Sequence, residues 1–212
     1  MNYRYIFWDN DGILVDTERY YLQASREALA RVEIQLSNQQ FAEISLGEGR
    51  SIFDIAAASG ISGQTIAELK EWRHKRYAGL LEQAEIALDG AAEVLKDLHG
   101  RVGMAVVTSS QRQHFEIIHR RTGFLPYFDF CLTREDYASS KPSAEPYLLA
   151  LKQCGHAAED VLVIEDSPRG LKAAKAAGLA CWVIPGHYTS AQDFAEADRL
   201  LYDIREVMQL TF

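Results

Sequence analysis

The sequence is poor in features that mark secreted and nucleic-acid-binding proteins. It has only three cysteines among 212 residues, Cys131, Cys154 and Cys181. An odd, scattered set favours reduced thiols in a cytoplasmic protein over a disulfide framework or a cysteine metal cluster. Positive charge is also in deficit, because 22 Lys and Arg face 30 Asp and Glu, for a formal net charge of −8. That balance argues against a general nucleic-acid binder, which would carry a basic patch.

Long apolar runs are missing as well. No stretch approaches the roughly 20 residues of a membrane-spanning helix, and the first residues lack the basic and then apolar order of a signal segment. We therefore expect no membrane partner. The global field would repel an anionic substrate, so attraction would have to come from a metal ion, a lysine or backbone N–H groups.

One short stretch near the N-terminus organises the interpretation of the rest. The apolar run from Tyr5 to Trp8 predicts a buried strand, and it is followed by Asp9, Asp11 and Gly12. Two acids spaced i, i+2 share one face of a strand and repel each other unless a cation or a proton lies between them. The pair suggests an oxygen-seeking divalent cation, most plausibly Mg²⁺. The alternative is an ordinary turn with two solvated aspartates.

The next part of the chain is helical in pattern. Residues 16–85 carry helical periodicity and almost no strand signal. A helix is predicted over 36–46, with Ser37 or Asn38 as its N-cap. The glycines of Gly47-Glu48-Gly49 break the pattern after that helix.

From Asp89 onward, apolar strands and helices alternate, and the last such pair is predicted around 200–208. Alternation of this kind predicts a parallel sheet with helices on both faces. The predicted fold class is therefore α/β, with a doubly wound, Rossmann-like sheet built from 1–15 and 86–212. An all-helical cap at 16–85 would be inserted between these two parts.

Polar residues follow four of the predicted strands at the point where the chain leaves the sheet. The carboxyl ends of parallel strands lie along one edge, so these residues should converge on one site. Acids for a metal, hydroxyls and helix-start N–H groups for an anion, and a lysine are what phosphoryl transfer requires, and a carboxylate can attack phosphorus. The converging residues are Asp9 and Asp11, Thr108 and Ser109, Lys141, and Glu165 and Asp166.

In this order the motifs resemble those of the haloacid dehalogenase superfamily, in particular its phosphatases and phosphomutases with a helical cap. The resemblance covers essentially the whole chain. It implies a Mg²⁺-dependent phosphatase for a small phosphorylated metabolite, of the sugar phosphate or phosphoglycolate type. The motifs are Asp9-Asn10-Asp11-Gly12, Val107-Thr108-Ser109, Lys141-Pro142 and Glu165-Asp166-Ser167.

The resemblance also implies a chemical role for each acid. Asp9 would be the nucleophile that forms an aspartyl-phosphate. Asp11 would be the general acid and then the general base. Mg²⁺ would be held by Asp9, the backbone carbonyl of Asp11, and Asp166, with Glu165 in or near the coordination shell.

Phosphate and substrate contacts are implied at further positions. The Thr108 hydroxyl and the Lys141 amine would bind phosphate, together with the backbone N–H groups of Asn10, Asp11 and Ser109. In the helix break of the cap, the stretch from Gly47 to Arg50 is a candidate substrate contact. Arg50 would bind a second anionic group, or else it is an ordinary surface arginine.

Two other hypotheses stay open, a sugar phosphomutase of the beta-phosphoglucomutase type and a non-catalytic regulatory protein on the same fold. The mutases carry a histidine early in the first cap helix, whereas this chain has Tyr20 and Tyr21, which favours hydrolysis. The complete set of carboxylates favours an active enzyme. Asp16 and Glu18 are assigned to the hinge and the helix start, and the six histidines to surface or packing positions.

Overall fold

The computed structural model describes residues 3–210 and shows a six-stranded, fully parallel sheet in the order β3-β2-β1-β4-β5-β6. Helices cover both faces of this sheet, which confirms the predicted α/β class. The strands are β1 (Tyr5–Trp8), β2 (Gly103–Val107), β3 (Phe130–Leu132), β4 (Val161–Glu165), β5 (Ala180–Val183) and β6 (Arg199–Leu200).

Strand β1 lies in the middle of the sheet because its four residues are apolar and buried on both faces. Ile6 and Trp8 face one layer of helices, and Tyr5 and Phe7 face the other. Continuous apolar runs are typical of parallel strands that are covered on both sides. Strand β1 pairs with β2 on one side and with β4 on the other, where Trp8 lies opposite Ile164. The strand order diverges here, and open α/β sheets bind ligands at such a crevice.

The helices that cover the sheet come from the second part of the chain. They are α5 (Ala91–Leu98), α6 (Arg112–Thr122), α7 (Glu145–Cys154) and α8 (Pro168–Ala176). Helix α8 packs on the sheet through Ala173 and Ala174, both fully buried. Three short 3₁₀ helices lie in the connections, at Leu125–Tyr127, Arg134–Asp136 and Ala158–Asp160.

Residues 16–85 form a helical segment with an apolar cluster of its own, built around side chains such as Leu29, Phe41 and Phe53. Its ends are tied together, because the Asp16 N–H donates to the Ile86 carbonyl at 2.7 Å, and Leu88 N–H donates to Leu14 at 3.0 Å. The chain thus leaves and re-enters the sheet region at one place. The helices are α1 (Glu18–Ala30), α2 (Asn38–Gln40), α3 (Asp54–Ala58) and α4 (Gly63–Leu81).

Two predicted helices differ from the observed ones. The helix expected over 36–46 starts as predicted, with the Ser37 hydroxyl accepting from the Gln40 N–H at 3.1 Å. It then continues as a π-helix, Phe41–Gly47, in which Glu48 N–H donates five residues back, to Glu43, at 2.9 Å. No local pattern in the sequence distinguishes this winding from an α-helix.

The last predicted α-helix is instead a 3₁₀ helix, Ile204–Gln209, which follows the two-residue strand β6. Asp203 caps it, and the Glu206 N–H donates three residues back, to Asp203, at 3.1 Å. Short terminal segments adopt this tighter winding readily. Within residues 3–210, no helix combines the length and apolar character that crossing a bilayer requires.

Candidate active site

The four predicted polar segments meet at the carboxyl edge of the sheet, around a cavity of about 420 Å³. Asp9, Asp11, Thr108, Ser109 and Asp166 line this cavity. The shared edge of parallel strands therefore brings together residues that are far apart in the chain, as the sequence predicts.

Lys141 is the electrostatic centre of the site. Its side-chain amine donates to Asp9 Oδ1 at 2.6 Å, Glu165 Oε1 at 2.7 Å and the Val107 carbonyl at 2.8 Å. Burial alone would lower the pKa of this amine, but the carboxylates of Asp9 and Glu165 outweigh that effect and hold the pKa above its ordinary value. All three donor protons are thus directed at protein oxygens, so a phosphate oxygen would have to share one of these bonds.

Three buried carboxylates lie beside this lysine. Asp9, Glu165 and Asp166 each offer an oxygen, and these oxygens lie within 4.8 Å of one another. Burial, and then the charges of Glu18, Asp9 and Glu165, raise the pKa of Asp166 well above its ordinary value. Asp166 Oδ2 is buried and has no hydrogen-bond donor in the described part of the chain. This donor set fits a hard, oxygen-ligated divalent cation such as Mg²⁺.

Glu165 is held more firmly than its neighbours. Its Oε1 accepts from Lys141 and, at 2.8 Å, from the Tyr147 hydroxyl. Its Oε2 accepts from the Asp166 N–H and the Ser167 hydroxyl, both at 3.2 Å. Burial raises the pKa of Glu165, but Lys141 outweighs it and the pKa is lowered. Because four donors occupy the carboxylate, a metal bond to Glu165 would replace one of them.

The Asp11 side chain lies in a different environment from that of the three clustered carboxylates. Its Oδ2 accepts from the Ser110 hydroxyl at 2.7 Å, the Thr108 hydroxyl at 3.2 Å and the Asn10 amide at 3.3 Å. Its Oδ1 accepts from the Thr17 hydroxyl. The side chain is thus held by hydroxyl groups at the cavity wall, which leaves the backbone carbonyl as the atom predicted to bind metal.

Comparison with known proteins identifies the family. The haloacid dehalogenase-like hydrolases match residues 6–184 of this chain. The chain belongs to that family. This confirms both the family and the phosphatase class that the motifs predict.

Three relatives show how far the similarity of this hydrolase extends. Protein CbbY of Cereibacter sphaeroides is 31% identical over 213 residues, which cover 95% of this chain and 93% of that protein. Validoxylamine A 7'-phosphate phosphatase of Streptomyces hygroscopicus subsp. limoneus is 30% identical, with 97% and 96% covered. A crystal structure of a CbbY mutant from Rhodobacter sphaeroides in complex with xylulose-(1,5)bisphosphate is 29% identical, with a TM-score of 0.83 and 96% of each chain covered.

Gly12 allows the close approach of Asp166 in this hydrolase. A Cβ at Gly12 would lie 2.2 Å from Asp166 Oδ2, and the backbone there has φ +87°. We expect Gly12→Ala to destabilise the protein and displace Asp166. Gly60→Ala is the matched control, because Gly60 has φ +82° and open space around it.

In the control, the free energy of unfolding should fall only by the cost of an alanine in the left-handed conformation, about 1–2 kcal/mol. Gly12→Ala should lose more than this and should also lose any stabilisation by Mg²⁺. Urea unfolding with and without the metal measures both effects. Equal losses in the two variants would show that the contact with Asp166 is unimportant.

A buried histidine, which sequence reasoning assigned only to surface or packing, supports the loop that carries the acids. His119 Nε2 lies 2.9 Å from Asn10 Oδ1, and both residues are fully buried. Burial lowers the pKa of His119 to about 4, so the ring is neutral. Because the Asn10 amide nitrogen faces the Asp11 carboxylate, its oxygen faces His119, and Nε2 must carry the proton. Nothing in the local sequence links residues 109 positions apart.

Removing this hydrogen bond should cost stability through the asparagine. His119→Phe leaves Asn10 Oδ1 buried without a donor, and we expect a loss of about 1–3 kcal/mol in urea unfolding. Asn10→Leu combined with His119→Phe should lose less than the sum of the two single variants, because neither partner is then left unpaired. Strict additivity would show that the two side chains do not depend on each other.

Glu18 begins helix α1, as the sequence predicts, but its side chain also lines the cavity, which was not predicted. Burial, followed by the charge of Asp11, raises the pKa of Glu18 to about 8, although Arg169 partly offsets this. Arg169 lines the same cavity and reaches the helical segment, where its Cδ would lie 3.6 Å from a Cβ on Gly49. Both residues are therefore part of the cavity between sheet and helices.

The two candidate substrate contacts in the helix break lie in different places. Arg50 lines the cavity, but its side chain is 57% exposed and pairs with Glu48 at 2.7 Å and Asp54 at 3.4 Å. Gly47 lies outside the cavity lining, and a Cβ there would be 3.3 Å from Gln192 Nε2. Gly49 lines the cavity instead.

Proposed function

We propose that this hydrolase is a Mg²⁺-dependent phosphatase that cleaves a small phosphorylated metabolite through a phosphorylated Asp9. The observation that carries the proposal is the buried group of Asp9, Asp166 and Glu165 around Lys141, at the floor of the cavity. One ammonium cannot balance three carboxylates, and a bound phosphate would add further negative charge. A divalent cation would make this crowding tolerable.

Asp9 would be the group that attacks phosphorus. Its Oδ1 is held by Lys141, and the side chain borders the cavity. As the Asp9 oxygen bonds to phosphorus, the ester P–O bond breaks and Asp11 gives its proton to the leaving oxygen. Asp11 then takes a proton from water, which attacks the same phosphorus and releases phosphate and free Asp9.

The residues around Asp9 would also supply the contacts to the metal and to the phosphate. Mg²⁺ would be held by Asp9, Asp166 and the Asp11 carbonyl, beside Glu165, and would neutralise charge on the phosphoryl group. The Thr108 hydroxyl and the N–H groups of Asn10, Asp11 and Ser109 would hold the phosphate oxygens, with Lys141 beneath.

We propose that residues 16–85 act as a cap that closes over the cavity. The paired connections at Asp16 with Ile86 and at Leu14 with Leu88 support this division into 1–15, 16–85 and 86–212. A closing cap would exclude water while the ester bond breaks. The closed cap would thus protect the aspartyl-phosphate from premature hydrolysis by bulk water.

The substrate is proposed to be a small phosphorylated metabolite of the sugar phosphate or phosphoglycolate type. The relatives named for xylulose-(1,5)bisphosphate binding and for validoxylamine A 7'-phosphate support this class. The excess of negative charge supports the absence of a nucleic-acid partner. The three free cysteines, Cys131, Cys154 and Cys181, support a reducing, cytoplasmic compartment. We expect no membrane partner.

A panel of phosphate esters tests the proposal. The purified protein should release phosphate from at least one small ester with Mg²⁺ and should lose this activity in EDTA. Incubation with a hexose 1-phosphate separates hydrolysis from the mutase alternative, since a mutase would yield the 6-phosphate isomer. Failure to turn over any ester with Mg²⁺ would favour a regulatory protein instead.

Metal binding should also increase the thermal stability of the folded protein. Mg²⁺ should raise the unfolding temperature of the wild-type protein, because it binds the folded carboxylate group. Asp166→Asn should abolish that rise. In EDTA the variant should be at least as stable as the wild type, since it replaces a carboxyl group whose ionised form is disfavoured by burial and by the neighbouring acids. Thermal unfolding with and without Mg²⁺ measures both, and a Mg²⁺ response retained by the variant would contradict the assignment.

A further inference from the structure

A buried arginine without an acidic partner lies in the wall of the cavity, on helix α4. Arg73 is 7% exposed and lines the cavity. Its guanidinium donates to the Tyr21 hydroxyl and, at 3.1 Å, to His74 Nε2. It also lies over the rings of Tyr21 and Phe53, at 4.6 and 5.4 Å from their centroids. Within residues 3–210, these are the partners of Arg73, and none is a carboxylate.

This environment is unusual for a cation that cannot lose its proton. An arginine stays charged in proteins, and burying a charge without a counter-ion is unfavourable. Two other arginines, one in the cavity lining and one on the same helix, do have acidic partners. Arg50 pairs with Glu48 and Asp54, and Arg76 pairs with Glu27 at 2.6 Å. Arg169, also in the lining, is only half-buried and lies near the acids Glu18 and Asp166, which its charge influences. Arg73 is therefore the buried arginine whose counter-ion has to come from elsewhere.

The neighbouring histidine adds a second donor without an acceptor. Burial, and then the charge of Arg73, lower the pKa of His74 to about 4, so its ring is neutral. Arginine can only donate, so His74 Nε2 accepts and the ring proton lies on Nδ1. Both His74 Nδ1 and Arg73 Nε are buried without a hydrogen-bond partner among the described residues. Two N–H donors on one helix thus lack an acceptor.

The same wall continues onto helix α6. His114 stacks on His74, with ring centroids 5.5 Å apart and planes at 17°. Its Nε2 is also buried without a partner in the described part of the chain. Lys70, one turn before His74 on α4, is exposed and lines the cavity as well. This wall offers nitrogen atoms and positive charge, in contrast to the carboxylates around Asp9.

We infer that Arg73 and His74 bind a second anionic group of the substrate, a phosphate or a carboxylate, while the phosphoryl group that is cleaved binds at Asp9. The inference rests on the proposed phosphatase function and narrows its substrate to small esters with two anionic groups. The incoming anion supplies the counter-ion that Arg73 lacks among the described residues. It also provides the local attraction that a protein with a net charge of −8 requires for such a substrate.

Matched esters test this subsite. The wild-type protein is assayed with Mg²⁺ on sugar bisphosphates and the corresponding monophosphates, and on phosphoglycolate and 2-hydroxyethyl phosphate. The doubly anionic member of at least one pair should be preferred in kcat/KM. Arg73→Met should lower kcat/KM for that member about 10- to 100-fold, mainly through KM, as expected for a lost charged hydrogen bond. The singly anionic ester should change less than about threefold, since it leaves the subsite empty.

Arg76→Met is the matched control, because it removes an arginine from the same helix at a position outside the cavity lining, and it should leave the preference unchanged. Arg73→Lys should recover part of it by restoring the charge. The pair that shows the preference decides whether the second group is a phosphate or a carboxylate. Without ligand, Arg73→Met should unfold at the wild-type temperature or higher, because it removes a buried unpaired charge.

Three outcomes would overturn the subsite. They are equal wild-type kcat/KM within every pair, an equal fall for both members in Arg73→Met, and a clear loss of ligand-free stability in that variant, which would indicate a structural arginine. A wild-type protein that cleaves no ester at all would instead contradict the proposed phosphatase function. The two failures are therefore distinguishable.

Discussion

Replacement of Asp9 by asparagine should abolish Mg²⁺-dependent phosphate release and leave the fold intact. The amide has the same shape and its oxygen can still accept from Lys141, but it is not a nucleophile. Loss of an attacking residue lowers kcat by a factor on the order of 10⁴ or more. Because the change also removes one charge from a crowded buried group, the metal-free variant should be no less stable than the wild type.

Asp16→Asn is the matched control for this variant. Asp16 carries the same functional group in the same loop, but it pairs with Arg19 at 3.0 Å on the surface. It should keep its activity within about threefold, since exposed pairs contribute little. Phosphate release and circular dichroism give the two measurements. More than a few per cent of wild-type activity in Asp9→Asn would rule out an aspartyl-phosphate on this residue.

Lys141→Met should produce the largest loss of stability. The variant leaves Asp9 and Glu165 buried without their shared counter-ion, and removing one partner of a buried ion pair costs about 3–5 kcal/mol. Lys175→Met is the control, because that lysine pairs with Asp198 at 2.9 Å while partly exposed. It should cost less than about 1 kcal/mol in urea unfolding. Similar losses in both variants would contradict a special role for Lys141.

The deficit of Lys141→Met, meaning its loss in free energy of unfolding relative to the wild type, should depend on pH in a predictable direction. Burial, and then the charge of Glu165, already raise the pKa of Asp9 to about 7, and Lys141 opposes this rise. Without the ammonium, the pKa of Asp9 in the folded state should rise further above its unfolded value. A carboxyl group whose pKa is higher in the folded than in the unfolded state contributes stability at low pH. This contribution is lost as the pH rises through the folded-state pKa. The deficit should therefore be smaller at pH 6 than at pH 8, and the reverse trend would exclude this cause.

The sequence alone determined the architecture and the sheet edge at which the motifs lie. The run Tyr5–Trp8 is apolar at every position, so both faces of the strand have to be buried. This places β1 inside a parallel sheet. Parallel strands end at one edge, so Asp9 and Asp166 were expected at the same edge of the sheet. That they meet there follows from the pairing of β1 with β4. The burial of β1 and the shared edge depend on local pattern and on rules of chain direction, both of which can be read along the chain.

The tertiary structure decided which polar atoms satisfy one another. The three bonds of Lys141, the His119–Asn10 pair and the absence of an acid beside Arg73 involve partners on separate elements. The family resemblance pointed to Arg50, at the helix break, for a second anion. Folding, however, places acids against Arg50 and only neutral groups against Arg73. Side-chain pairing of this kind depends on angles and distances between packed elements, and a pattern of residue types along one chain does not encode them.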